Sequence, residues 1–326
     1  MGTDSSEMVQ VALLSGEKIQ LPVQPETTLE EVKEAAENEL EVAISHFVRE
    51  DGKVLGKAQM AWTVSKTKLR QGEILRALVR YRIWIRRLAQ GMLDQISSVN
   101  SDGRENIMNQ FSGIEPCNEE ELTCILQVIF HKAMVEPAHG RTYARMAAGL
   151  KERCPELPPE HEGDRPVTVT RLLLNILQRE YESTPETFEV SEEDKAKFPS
   201  AEALEEDLAN KKRRMLAIVG FTGHLFLERL LTMKVIRQIV HDLIRLGGDD
   251  RPPPEEPMIE CVLELLTLVG RTFDESVPTG MTFMNAFEVR LLALSALRIG
   301  DKHFFSDRVR SAISDLLDCR RNNWLP

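Results

Sequence analysis

Four adjacent cations, Lys211-Lys212-Arg213-Arg214, follow an acidic run made of Glu202, Glu205, Glu206 and Asp207. Such a cluster can neutralise the phosphates of RNA, with an affinity that falls steeply as salt rises. The same spacing also suits a solvated helix start whose cations pair with acids one turn earlier, each pair worth about 0.2–0.5 kcal/mol. Arg320-Arg321, close to Trp324, form a second cationic group. It reads either as an RNA contact or as the charged end of a last helix. A third group lies in residues 66–90, where Lys and Arg recur against Glu73 alone. There Trp84 sits among Arg82, Arg86 and Arg87 beside an apolar stripe. That stretch suits a calmodulin-type or anionic-membrane contact, or the first helix of a larger helical body with a cationic outer face.

No arrangement in the chain points to catalysis. Gly247-Gly248 stand before Pro252 without a Walker lysine, and the GxSxG, HExxH and GxGxxG patterns do not occur. The 7 histidines are dispersed. His131 falls on a strongly amphipathic segment and reads as a packed or boundary residue, and Asp249-Asp250 as a solvated loop. The 5 cysteines, Cys117, Cys124, Cys154, Cys261 and Cys319, are odd in number and contain no CxxC. They therefore read as buried free thiols of a reducing compartment. The expectation is a binding protein, not an enzyme, with no cofactor and no metal.

The elements that position these groups follow from composition and periodicity. A chain of 326 residues with 42% apolar and 29% charged residues supports about two ordinary globular domains, at roughly 150 residues each. Its net charge of −11 argues against a molecule whose whole surface is a nucleic-acid footprint. No run of about 18 apolar residues exists, so no membrane-spanning helix is expected. Residues 1–7 read as a flexible leader, preferred over a myristoylation start at Gly2, and lack a secretory signal.

Residues 8–65 read as α+β. Met8–Leu14 and Ile19–Val23 alternate as two strands around a turn at Ser15–Lys18. Thr28 caps a helix whose buried face is Val32, Ala35, Ala36 and Leu40. Ile44–Val48 forms a third strand, and Asp51-Gly52 a turn into Lys53–Leu55. Residues 66–87 read as a basic amphipathic linker helix, because Ile74, Leu78, Tyr81, Ile85, Leu88 and Met92 recur at steps of three and four.

From 88 to 326 the pattern is helical. Asn118 and Glu121 fit a capping box ahead of Leu122, Ile125, Leu126, Ile129, Phe130 and Ala133. Apolar stripes then run through Leu172–Leu177, Met215–Leu231, Val235–Leu246, Ile259–Val269, Phe283–Leu297 and Phe304–Leu317, separated by Pro and Gly breakers. Stripe and breaker alternate as in a HEAT-like solenoid of antiparallel helix pairs.

Two resemblances add to this. The hairpin–helix–strand order of 8–65 resembles a ubiquitin-like β-grasp domain without a terminal Gly-Gly. In it only Ala58–Val64 is available for the last strand.

Five strings of the helical part resemble the middle domain of eukaryotic translation initiation factor 4 gamma. They are Val128–Ala133 with Glu136-Pro137 and Tyr143-Ala144-Arg145; Leu172–Asn175 with Gln178, Glu180 and Tyr181; Lys211–Leu216 with Phe221–Phe226; Leu265–Arg271; and Ser306–Arg310 with Asp315–Trp324. His224 replaces the family's usual Glu. The opening family segment is present only as Leu93-Asp94-Gln95-Ile96-Ser97.

The resemblance implies a cytoplasmic translation-initiation scaffold. It implies docking of a DEAD-box RNA helicase of the initiation factor 4A type, mRNA contact through the backbone, and other initiation factors as partners. By position, Leu93 and Ile96 are the apolar anchors for one helicase lobe. Lys211, Lys212, Arg213, Arg214, Arg320 and Arg321 are the candidate RNA contacts. The alternatives are a regulator or repressor of the same fold in mRNA decay, splicing or translation, and a calmodulin or membrane adaptor acting through residues 69–90.

Overall fold

The computed structural model describes residues 7–324 apart from 15, 70–72, 117, 155, 158–164, 185–186, 189–194, 196–197 and 247–251. The leader 1–6, Cys117, Gly247-Gly248 and Asp249-Asp250 lie outside the described residues. The chain divides into two compact units.

The first unit is built on a five-stranded mixed sheet of order β2-β1-β5-β3-β4. Strand β1 (Glu7–Leu13) buries Val9, Val11 and Leu13 at alternate positions and pairs antiparallel with β2 (Lys18–Val23). Helix α1 (Leu29–Leu40) starts at a complete capping box. The Glu31 N–H donates to the Thr28 hydroxyl at 3.3 Å and the Thr28 N–H to the Glu31 carboxylate at 2.7 Å. Its inner face is Leu29, Val32, Ala36 and Leu40, while Ala35, expected there, is exposed. Strand β3 (Val42–Val48) turns through Asp51-Gly52 into β4 (Val54–Leu55).

The central strand is β5 (Ile74–Arg82), parallel to β1 and antiparallel to β3. This corrects two expectations. Ala58–Val64 is not a strand: it holds most of a 3-10 turn (Lys57–Gln59) and runs into α2 (Val64–Thr67). Residues 66–87 are not a linker helix. The deciding pattern is period two, with Leu75 and Ala77 buried on either side of exposed Arg76. The three-four register through Ile74, Leu78 and Ile85 is an accident of crossing from strand into α3 (Ile83–Leu93). Hydrogen-bonded along both edges, β5 is unavailable as a calmodulin-type or membrane-surface helix. Of the stretch 69–90, only the part from Ile83 on is helical among the described residues.

In α3, Ile85, Ala89 and Leu93 are buried at steps of four, and Trp84 and Leu88 are exposed. The first unit also holds the N-terminal part of α5 (Glu119–Val135). Within it the Glu121 N–H donates to the Asn118 side chain at 2.8 Å, so Asn118 caps the helix as expected.

The second unit is helical: α4 (Ser101–Ser112), the end of α5, α6 (Gly140–Arg153), α7 (Val169–Glu182), α8 (Ala201–Leu227), α9 (Met233–Ile244), α10 (Glu256–Glu275), α11 (Thr279–Ala296) and α12 (Asp307–Arg321). A two-residue-per-strand hairpin, β6 (Arg298–Ile299) and β7 (Lys302–His303), joins the last two helices. Successive helices stack as a solenoid: α4 on α6, α6 on α7 and α8, and α8 on α7, α9 and α10. Helix α10 is the spine of the C-terminal half. It buries Ile259, Val262, Leu266, Val269 and Phe273 and touches α8, α9, α11 and α12. Asn100, Thr168, Ser200 and Ser306 cap their helices, each such cap worth about 1 kcal/mol.

Candidate functional site

The four-cation run lies on the middle of α8, between its acidic first turns and its buried second half. Lys211 pairs with Asp207 one turn earlier at 2.7 Å. Lys212 crosses to Glu260 on α10, and Arg214 to Glu180 on α7. Glu260 also accepts from Arg308 of α12, so one carboxylate ties three helices together. A compact phosphate clamp of four free cations is therefore not what the fold builds. Two of the side chains, Lys212 and Arg214, are joints between helices. Lys211, Arg213 and Arg214 are exposed, and Arg213 has no ion pair among the described residues.

The second cationic group divides in the same way. Arg320 is 12% exposed and donates to Asp274 at 2.8 and 3.0 Å, to Glu288 at 2.6 Å and to the Met284 carbonyl at 3.2 Å. These partners hold its guanidinium charged, the hydrogen bond to Asp274 contributing most. Arg321 is exposed and pairs with Asp318 at 2.9 Å. The Trp324 indole donates to Asp274 at 2.9 Å and lies against Gly270, where an added Cβ would come 2.1 Å from its Cη2. Trp324 is thus a packed end-stop of the solenoid, and its ring is spoken for.

The remaining strings are joints as well. Lys132 of α5 donates to Glu136 at 3.2 Å, and the fully buried Tyr143 of α6 donates to the other carboxylate oxygen at 2.6 Å. The Tyr143 hydroxyl, followed by Lys132, holds the Glu136 carboxyl below its ordinary range. A carboxyl with a depressed folded pKa stabilises the fold above its unfolded pKa, and that increment fades as pH falls through the folded value. Tyr143→Phe should therefore lower stability at pH 7 by about 1 kcal/mol. Between pH 5 and 3 the variant should also lose less further stability than the parent. Urea midpoints across that range check both signs.

His224, on α8, is half-buried. Burial, followed by the charge of Arg141, lowers its pKa, so the ring is neutral at pH 7. His131 is exposed rather than packed. Burial pushes the Cys261 thiol up to about 12 and raises that of Cys124, which suits inert core thiols.

Leu93 and Ile96 have no exposed surface. Both are core side chains, so the expectation that they anchor a helicase lobe by direct contact is corrected. The exposed groups beside them are Asp94 and Gln95, tied to Gln90 and to the Gly91 carbonyl at 2.9 Å each. The residues that sequence reading missed are Glu260 and Asp274, the acids on which the basic strings converge. Their only signal is their position at the flanks of the α10 apolar stripe.

No helix among the described residues is long and apolar enough to cross a membrane. The family model for the MIF4G domain matches residues 87–323. Eukaryotic translation initiation factor 4 gamma 1 of Mus musculus is 28% identical over 234 residues, which cover 68% of this chain and 14% of that protein. Eukaryotic translation initiation factor 4 gamma 3 of Homo sapiens is 26% identical over 283 residues, covering 83% of this chain and 16% of that protein. The chain thus spans only a small part of the length of these relatives. The crystal structure of the MIF4G domain of Trypanosoma cruzi translation initiation factor EIF4G5 covers 74% of this chain and 97% of its own, at 20% identity and a TM-score of 0.46. With nearly three quarters of its length matched by the family model, the chain belongs to the MIF4G domain family.

Proposed function

We propose that this protein is a cytoplasmic translation-initiation scaffold whose solenoid docks a DEAD-box RNA helicase of the initiation factor 4A type and mRNA. The observation that carries this reading is the family match over 87–323, together with relatives named as initiation factor 4 gamma. A scaffold of this kind acts by population shift: better contacts to one arrangement of the helicase lobes raise its occupancy, by no more than the difference in affinity. Binding of the full chain to purified initiation factor 4A, followed by calorimetry, tests the reading. A micromolar or tighter complex is expected. No heat of binding at tens of micromolar would remove it.

On this reading the RNA contacts of the solenoid are three of its exposed cations, Lys211, Arg213 and Arg321, which meet backbone phosphates without base preference. Two double variants separate contact from joint. Lys211→Glu/Arg213→Glu should weaken RNA binding and flatten its salt dependence while leaving the melting temperature within about 2 °C. Lys212→Glu/Arg214→Glu places carboxylates near Glu260 and Glu180, and should lower stability by about 1–2 kcal/mol.

We further propose that the first unit is a ubiquitin-like β-grasp domain serving as a docking module. Its sheet order, its parallel central pair and its helix after the first hairpin support this. The burial of Leu93 and Ile96 favours one second reading, a regulator of the same fold that represses initiation. Added to a cap-dependent translation extract, a repressor lowers output and a scaffold raises it.

A further inference from the structure

Helix α11 is apolar on two sides. Phe283, Met284, Phe287, Leu291 and Leu294 are buried in the core of the helical unit. Met281, Val289 and Leu292 are exposed, at 39%, 68% and 45%. A surface helix ordinarily turns a charged face to solvent, and a helix that is apolar all round is ordinarily covered all round. Charge sharpens the contrast. Among the described α-helices, α11 alone has no charged side chain at an exposed position, in a chain of which 29% of residues are charged. Its two charged residues are half-buried and engaged within the chain. Glu288 accepts from Arg320 at 2.6 Å, and Arg290 donates to the Ile244 carbonyl at 3.3 Å.

The outer face also matches itself. Asn285 and Ala286 lie one turn before Val289, Ala293 and Leu292 one turn after it, and all are exposed. When two copies of a helix pack antiparallel about a two-fold axis, a residue some places before the axis meets the one as many places after it. With the axis at Val289, Ala286 falls opposite Leu292 and Asn285 opposite Ala293. Met281 falls within one place of Ala296. Each longer side chain thus meets a shorter one, which lets the helices approach. Glu288 and Arg290 flank the axis and fall opposite each other, so like charges are not opposed.

Elsewhere the net charge of −11 works against contact between two copies. A charge-free apolar face is where that repulsion is least and where burial is most favourable. We propose that the outer face of α11 is a self-association surface, on which a second copy of this chain packs antiparallel about a two-fold axis at Val289. Its 18 residues make about 27 Å of helix. One helix face belongs at the low end of specific interfaces, below roughly 1,200 Å² in total, so the dimer is a micromolar one. The surface requires neither helicase nor RNA and is tested without them.

The test is sedimentation velocity of the full chain from about 1 to about 200 micromolar. The mass should rise from that of one chain toward that of two, with a midpoint on the order of tens of micromolar. Val289→Glu and Val289→Lys should each weaken association by about tenfold or more, because like charges then meet at the axis. Val289 is exposed, so thermal melts of both variants should stay within about 2 °C of the parent. An equimolar mixture of the two variants should associate again, since a carboxylate then meets an ammonium across the axis. A parent that remains a single chain at the highest concentration would overturn the proposal. So would a dimer that Val289→Glu leaves intact, or a mixture that stays monomeric.

Discussion

Gly280→Ala is expected to destabilise the helical unit by about 2–4 kcal/mol, lowering its melting temperature by roughly 5–12 °C. Gly280 lies in the first turn of α11, where the chain comes back against the end of α10. An added Cβ would sit 2.2 Å from the Phe273 carbonyl oxygen and 3.0 Å from its carbonyl carbon. Both are backbone atoms, which cannot rotate aside as a side chain would. The strain therefore passes into the α10–α11 joint, whose core is Phe273, Phe283 and Phe287 with ring centroids 5.4 and 6.3 Å apart along the series. Gly220→Ala is the matched control. That glycine is inside α8 with nothing within 4 Å of an added Cβ, so the variant should be neutral, or more stable by up to about 1 kcal/mol. Thermal melts of the two variants must move in opposite directions, or differ by the full cost. Equal behaviour would contradict the close approach at Gly280.

The second large effect belongs to the sheet unit. Glu73→Ala should cost about 1–3 kcal/mol there, because it leaves a part-buried guanidinium without its carboxylate. Glu73 is 7% exposed and accepts two bonds from Arg49, both at 2.8 Å. Arg49 also donates to the Thr67 carbonyl at 3.2 Å. One arginine thus ties the end of β3 to α2 and to the residue before β5. Hydrogen exchange is the readout. Amides of β3 and β5 should lose protection in the variant, while those of α10 keep theirs. Arg49→Leu/Glu73→Leu, which removes both charges, should recover much of the loss. If the single variant is as stable as the parent, the pair contributes nothing.

These cases show what was legible in the sequence. The helical stripes were: Ile259–Val269 falls within α10, and Phe283–Leu297 lies in α11 up to its C-cap, because amphipathic periodicity over many turns leaves little choice. The turn at Asp51-Gly52 and the Thr28 cap were local chemistry and formed where the residues stand. Strand β5 was not legible. Nine residues that include Arg76, Arg80 and Arg82, followed at once by a helix, satisfy a helical template over their joint length, and the template cannot see the slot between β1 and β3 that the strand fills. Glu73 looked like a lone acid in a basic stretch. Its partner is Arg49, 24 residues earlier, and no local pattern links them.

The partners of the candidate contacts are hidden in the sequence for the same reason. Lys212, Arg214 and Arg320 resemble surface cations in sequence, yet each finds its acid on another helix: Glu260, Glu180 and Asp274. Leu93 and Ile96 likewise gave no sign of which side of the chain they face, and both are core. The five strings that resemble the family are, in this protein, chiefly the fasteners between successive helices. They identify the fold more strongly than they identify a surface.

The central claim is that the helical unit serves as a platform for an ATP-driven RNA remodeller. Its most direct test is the RNA-dependent ATPase rate of initiation factor 4A, measured with rising amounts of the full chain at fixed RNA. A saturable rise in rate, abolished when the helical unit is unfolded by Gly280→Ala above that variant's melting temperature, is the expected result. A rate unchanged at tens of micromolar protein, with the chain folded, would contradict the claim.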